Sequence, residues 1–165
     1  MIHNDLALLK PAMQTRASAA LEEMRNDRIL KEFGVTSMGI LETLREPTVQ
    51  MAYRSRLLWT ELRDTIQPES RDTAKRTIAA YVQAMYKAAG LYIISSSDAL
   101  VPVTWTLDSK HLRGEAIDIV PQRNGNAWWL PKDSPVWTRM GEIGEKHSLS
   151  WGGRWKNTDS PHFEI

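Results

Sequence analysis

Apolar residues in this chain change their spacing near residue 90, and that change narrows the fold more than any other feature. Before it they recur at helical intervals. Met13, Ala17, Ala20, Leu21 and Met24 form one stripe of a helix running from Pro11 to about Arg28, with proline suited to its first turn. Pro47 opens a second helix through Val49, Ala52 and Tyr53 to about Leu62, and Ile78, Val82, Met85 and Ala89 mark a third, stopped at Gly90. One strand, Val35 to Leu44, is expected in this half. After Gly90 come short β-prone runs: Leu91 to Ser95, Val101 to Thr106, Ala116 to Val120, Leu149 to Trp151 and His162 to Ile165. Asn124-Gly125-Asn126 marks a turn, and Ser134-Pro135 opens one more helix through Trp137, Met140 and Gly144. Helices mainly first and strands later predict an α+β domain with a small, mostly antiparallel sheet and helices packed on it. The 165 residues suit one domain, and no repeat or linker-like tract divides them.

Composition removes several classes of function. The chain has no cysteine, which excludes disulfide scaffolds, thiolate zinc fingers, iron–sulfur clusters and cysteine nucleophiles. Its formal charge is +1, so it lacks the basic excess of a nucleic-acid binder. The longest apolar run, Ala88 to Ile94 around Gly90, is far short of a membrane span. No basic segment precedes the short apolar stretch at the N-terminus, so no signal peptide is expected. Most tryptophans fall after residue 100 (Trp105, Trp128, Trp129, Trp137, Trp151, Trp155). They suit core packing, and a subset suits a groove for a bulky ligand.

Two segments carry the chemistry: Ser109-Lys-His-Leu-Arg-Gly-Glu-Ala-Ile-Asp118 and Asp159-Ser-Pro-His-Phe-Glu164. Without thiols, a zinc site must draw on imidazole and carboxylate. His111, Asp118 and His162 offer two nitrogens and one oxygen, leaving a fourth position for water, as catalytic zinc sites do. Strand alternation supports part of this. Asp118 points opposite to Ile117 and Ile119, and a carboxylate on a half-buried strand is costly without a partner. Gly114 lets the backbone turn between His111 and that strand. His3 and His147 are left to ordinary roles, the first near a terminus and the second near a helix end.

Ser109-x-His111-x-x-Gly114-x-Ala116-x-Asp118 resembles the signature of the zinc peptidases that cut bacterial peptidoglycan peptides. That family includes D-alanyl-D-alanine carboxypeptidases, vancomycin-resistance dipeptidases and phage L-alanoyl-D-glutamate endopeptidases. Trp151-Gly152-Gly153-Arg154-Trp155 followed by Asp159-x-x-His162 resembles its second motif, and Arg45 with Gln50 resembles its strand-end arginine and following glutamine. The resemblance implies a hedgehog/D,D-peptidase-like fold, with Zn2+ held by His111, Asp118 and His162. It implies Asp159 as general base and Arg45 as the group that holds the scissile carbonyl oxygen. Ser109, Gln50 and Trp151 follow as supporting or substrate contacts. Aspartate at 159 is similar to the phage-endolysin branch.

The expected activity is therefore zinc-dependent hydrolysis of an amide bond in peptidoglycan stem peptides, between L-alanine and D-glutamate. Two alternatives stay open: a D-alanyl-D-alanine carboxypeptidase, and a zinc-stabilised module that binds wall peptide without turnover. Taken singly, Arg45 also reads as a surface ion pair, Asp159 as a loop cap and the tryptophans as core. The stretch between Gln50 and Ser109 is longer than the family pattern, so an insertion is expected within about residues 57–100. The enzyme would be made in a host cytoplasm and act on the wall after release. The oligomeric state is not legible.

Overall fold

The computed structural model describes residues 2–165. In chain order its helices and strands are α1 (Pro11–Asn26), α2 (Arg28–Glu32), β1 (Ser37–Glu42), α3 (Pro47–Ser55), α4 (Leu58–Leu62), α5 (Arg71–Ala88), β2 (Ala116–Arg123), β3 (Asn126–Ala127), α6 (Pro135–Lys146), β4 (Ser150–Trp151) and β5 (His162–Glu164). Short 3-10 turns punctuate them, among them Lys110–Arg113 and Gly152–Arg154. The result is the α+β mixture with a small antiparallel sheet that the spacing predicts. The backbone divides into two compact units, one of His3–Leu44 with Arg113–Ile165, the other of Arg45–Leu112 with Ile2. No helix among the described residues is long and apolar enough to cross a membrane.

The first unit holds the sheet. Its strand order is β1-β2-β5-β4, with β3 folding back on β2, and every pairing is antiparallel. Asn124 and Gly125 join β2 to β3 with φ of 52° and 79°, the left-handed pair that a two-residue hairpin demands. Register across β2 and β5 sets Ala116 opposite Glu164, Ile117 opposite Phe163 and Asp118 opposite His162. Alternation then gives one face to Ala116, Asp118, His162 and Glu164, and the other to Ile117, Ile119 and Phe163. The apolar face is buried with Met13, Leu21 and Met24 of α1 and with Trp137, Met140 and Ile143 of α6. A slip of one residue would turn the polar set into that core, so burial fixes the register. α1 stops at Asn26, short of the expected Arg28, because the Asp27 carboxylate accepts the Leu30 N–H at 2.9 Å and caps a new helix, α2.

The second unit is helical. Val49 and Ala52 of α3 pack with Ala79, Val82 and Tyr86 of α5, closed by Ile94 and Ala99. Arg56 is buried there, donating to the Val101 carbonyl at 2.7 Å and to the Tyr86 hydroxyl at 3.2 Å. The helix expected from Pro47 to Leu62 is interrupted. Ser55 Oγ donates to the Ala52 carbonyl at 2.7 Å, a local bond that competes with the helix, and the chain restarts as α4. Residues 57–100, expected as an insertion, comprise α4, α5 and the loop after them.

Two expected strands are absent. Leu91 to Ser95 follows the left-handed Gly90 (φ 67°), and its Ile94 carbonyl is taken by the Gln83 side chain at 3.1 Å rather than by a neighbouring strand. Val101 to Thr106 alternates as a strand should, but Pro102 has no N–H to give a ladder, and Val101, Val103 and Trp105 are each at least half exposed.

Candidate metal centre

Asp118 and His162 are the heart of the site. They are directly opposed on β2 and β5, and His162 Nδ1 lies 3.1 Å from Asp118 Oδ1. That separation suits an N–H···O hydrogen bond when Nδ1 carries a proton. It also suits two ligand atoms on one ion, since tetrahedral zinc with arms near 2.0 Å spaces its ligands by about 3.3 Å. The other ring nitrogen, Nε2, stands 3.1 Å from Glu164 Oε2. Trp155 lies against the ring, with centroids 5.0 Å apart. Burial works against the charged imidazolium, but the carboxylates of Asp118, Glu164 and Asp159 outweigh it and hold the His162 pKa above its ordinary value.

Asp159 sits on the turn that delivers the chain into β5. Its N–H donates to the Gly152 carbonyl at 3.0 Å, and its own carbonyl accepts the His162 N–H at 3.2 Å. Only glycine fits at 152, where a Cβ would lie 2.5 Å from the Asp159 carbonyl oxygen and 3.1 Å from His162 Cβ. Trp151, which the resemblance offers as a supporting or substrate contact, is 6% exposed and faces the core. Its indole N–H donates to the Ser160 carbonyl at 2.8 Å, so it braces the turn that carries Asp159. The tryptophan beside the site is Trp155, 41% exposed. Trp128 is partly buried against the core with Arg123 over its ring, while Trp129 is exposed.

In the helical unit, the Arg45 guanidinium is held on two sides. Nη1 donates to Gln50 Oε1 at 2.7 Å, and the Tyr53 ring lies 4.9 Å beneath it. Gln50 is itself anchored, donating to the Thr106 carbonyl at 2.7 Å. Arg45 N–H also donates to the His111 carbonyl at 3.0 Å. His111 is 1% exposed on the 3-10 turn Lys110–Arg113. Ser109 Oγ accepts the His111 N–H at 3.3 Å, which makes Ser109 a cap of that turn. Gly114, just beyond, has φ 65° and would place a Cβ 2.8 Å from the Leu8 carbonyl.

Sequence reading missed Tyr53 and Glu164. Each was within reach of simple periodicity: Tyr53 is one helical turn past Gln50, and Glu164 is two strand residues past His162.

His111 of the helical unit and Asp118 and His162 of the sheet unit are the donors available to a metal ion among the described residues. Two imidazoles and one carboxylate, with no thiol, match the donor chemistry of a catalytic zinc with one position open.

Residues 103–165 match a family model described as D-alanyl-D-alanine carboxypeptidase. Among solved structures, the chain is similar to the Serratia marcescens L-Ala D-Glu endopeptidase ChiX, with 19% identity and a TM-score of 0.51, over 97% of this chain and 82% of that one. That likeness carries the fold, which is D,D-peptidase-like. No curated protein matches the sequence. The family match covers both signature segments, Ser109 to Asp118 and Asp159 to Glu164.

Proposed function

We propose that this protein is a zinc peptidase that hydrolyses the L-alanyl–D-glutamate bond of peptidoglycan stem peptides. One observation carries the reading: Asp118 and His162 face each other across adjacent strands, with Asp159 on the turn that enters the second of them. His111, Asp118 and His162 would hold the ion. When bound, zinc activates water as a nucleophile near neutral pH and polarises the scissile carbonyl.

The remaining work falls to side chains of this chain. Asp159 accepts the proton of the attacking water and returns it to the leaving amine. Arg45, fixed by Gln50 and Tyr53, stabilises the oxyanion as it develops. Because its guanidinium is pre-set, little reorganisation accompanies the charge. The choice of bond rests on aspartate at 159, similar to the endolysin branch, and on the likeness to a fold whose solved example is an L-Ala D-Glu endopeptidase. In this reading the enzyme reaches the wall after release from the cytoplasm in which it is made.

The family description favours a second reading, a carboxypeptidase that removes terminal D-alanine. Digestion of purified peptidoglycan with labelling of new amines separates the two. N-terminal D-glutamate is the expected product. Free D-alanine without new N-terminal glutamate would establish the carboxypeptidase instead. No new amine from several wall types, with zinc bound, would leave a binding module.

A further inference from the structure

We infer that Glu164 is a positioning residue for the metal: it holds the His162 ring by Nε2 so that Nδ1 is the atom offered to zinc. The inference rests on the zinc reading above and adds a residue to it.

His162 has carboxylate oxygens at both ring nitrogens, Asp118 Oδ1 at 3.1 Å from Nδ1 and Glu164 Oε2 at 3.1 Å from Nε2. A neutral imidazole carries one proton, and a metal ligand must present a bare nitrogen. If the proton sat on Nδ1, the Nε2 lone pair would face a carboxylate oxygen at contact distance. With the proton on Nε2, that contact becomes a charge-assisted hydrogen bond, and Nδ1 is left beside Asp118, the other proposed ligand of the same sheet unit. The two contacts are equal in length, and an ion between Nδ1 and Asp118 would leave the ring's one proton to Nε2, where Glu164 holds it and sets the ring's angle.

The backbone makes Glu164 a firm support. Its strand is paired on both sides, to Ala116 and to Ser150, so its Cα has little freedom. Spacing of two puts it on the His162 face of the sheet. The residue across from it on that face is Ala116, the smallest side chain that carries a Cβ. Trp155 closes another side of the ring.

The test measures Zn2+ affinity by competition with a chromophoric chelator for the native chain, Glu164→Gln and Glu164→Ala, beside melting of each metal-free protein. Glu164→Ala should bind zinc about 10- to 100-fold more weakly, the usual cost of losing such a support. Glu164→Gln keeps an acceptor oxygen for Nε2–H and should recover affinity to within about tenfold of the native chain. Histidine nitrogen NMR of the zinc-loaded native protein gives a readout independent of any variant's folding. It should show His162 metal-bound at Nδ1 and protonated at Nε2. Zinc bound at Nε2, or native affinity in a folded Glu164→Ala, overturns the inference and leaves the zinc reading standing. A native chain that binds no zinc overturns both.

Discussion

Asp118 stands between two fully buried isoleucines, a position where a lone carboxylate would be costly. It is tolerated because strand alternation turns it to the opposite face, where His162 meets it. This much was legible in the sequence: an aspartate amid β-branched residues announces a partner. Which histidine supplies it depends on the β2–β5 register, and only the fold sets that. The role of Trp151 was not legible, since a tryptophan beside two glycines reads equally as groove or core until its neighbours are known. In the proposed mechanism Asp159 is the base and not a ligand. Asp159→Asn should keep zinc and lose turnover by about 10²- to 10⁴-fold, checked by metal analysis and peptidoglycan digestion on one preparation. Loss of zinc in that variant would make Asp159 a ligand.

Helix α6 shows how an element's own preference can lose to packing. Gly141 lies mid-helix and Gly144 in the last turn, and alanine would ordinarily favour the helix over an interior glycine by about 1 kcal/mol. Yet a Cβ at 144 would sit 2.3 Å from the Phe163 ring, and one at 141 would sit 2.2 Å from Trp151. Overpacking of that kind costs about 1–3 kcal/mol, so Gly144→Ala should lower stability despite its better propensity, as denaturant melts will report. The same element holds α2 by Arg139, whose guanidinium donates to Asp27 Oδ2 at 2.7 Å. Arg139 first, and the capped N–H groups of α2 after it, hold the Asp27 pKa below its usual value. A depressed carboxylate stabilises the fold above its unfolded pKa, and that contribution fades as pH falls through the folded value. Asp27→Asn keeps a good cap but loses the charge. It should cost about 1 kcal/mol near neutrality, and the gap in melting temperature from the native chain should close in strong acid. Element type was readable from spacing wherever a stripe or alternation was buried. It failed at Asp27 and Ser55, where side chains bond the backbone, and at Val101 to Thr106, where alternation had no sheet to face.

At the scale of the molecule, a bound ion is part of the folded state's free energy. A ligand that binds only the folded chain, free at about 100 times its Kd, adds about 2.7 kcal/mol. Zinc should therefore raise the melting temperature, a chelator should reverse the gain, and His111→Ala should abolish it while its metal-free melting changes less. The order of the two halves of the chain was legible, because helical spacing gives way to short strands. The order of strands in the sheet was not, because register depends on contacts between residues far apart in sequence. That order has a consequence for how the protein is born. β5 is the last strand in sequence yet lies inside the sheet, between β2 and β4. A ribosome that has delivered everything up to Pro161 has made a sheet with its seam missing, β4 unmoored, and Ile117 without Phe163 to cover it. During translation this unit stays open until β5 emerges, and only then does His162 meet Asp118.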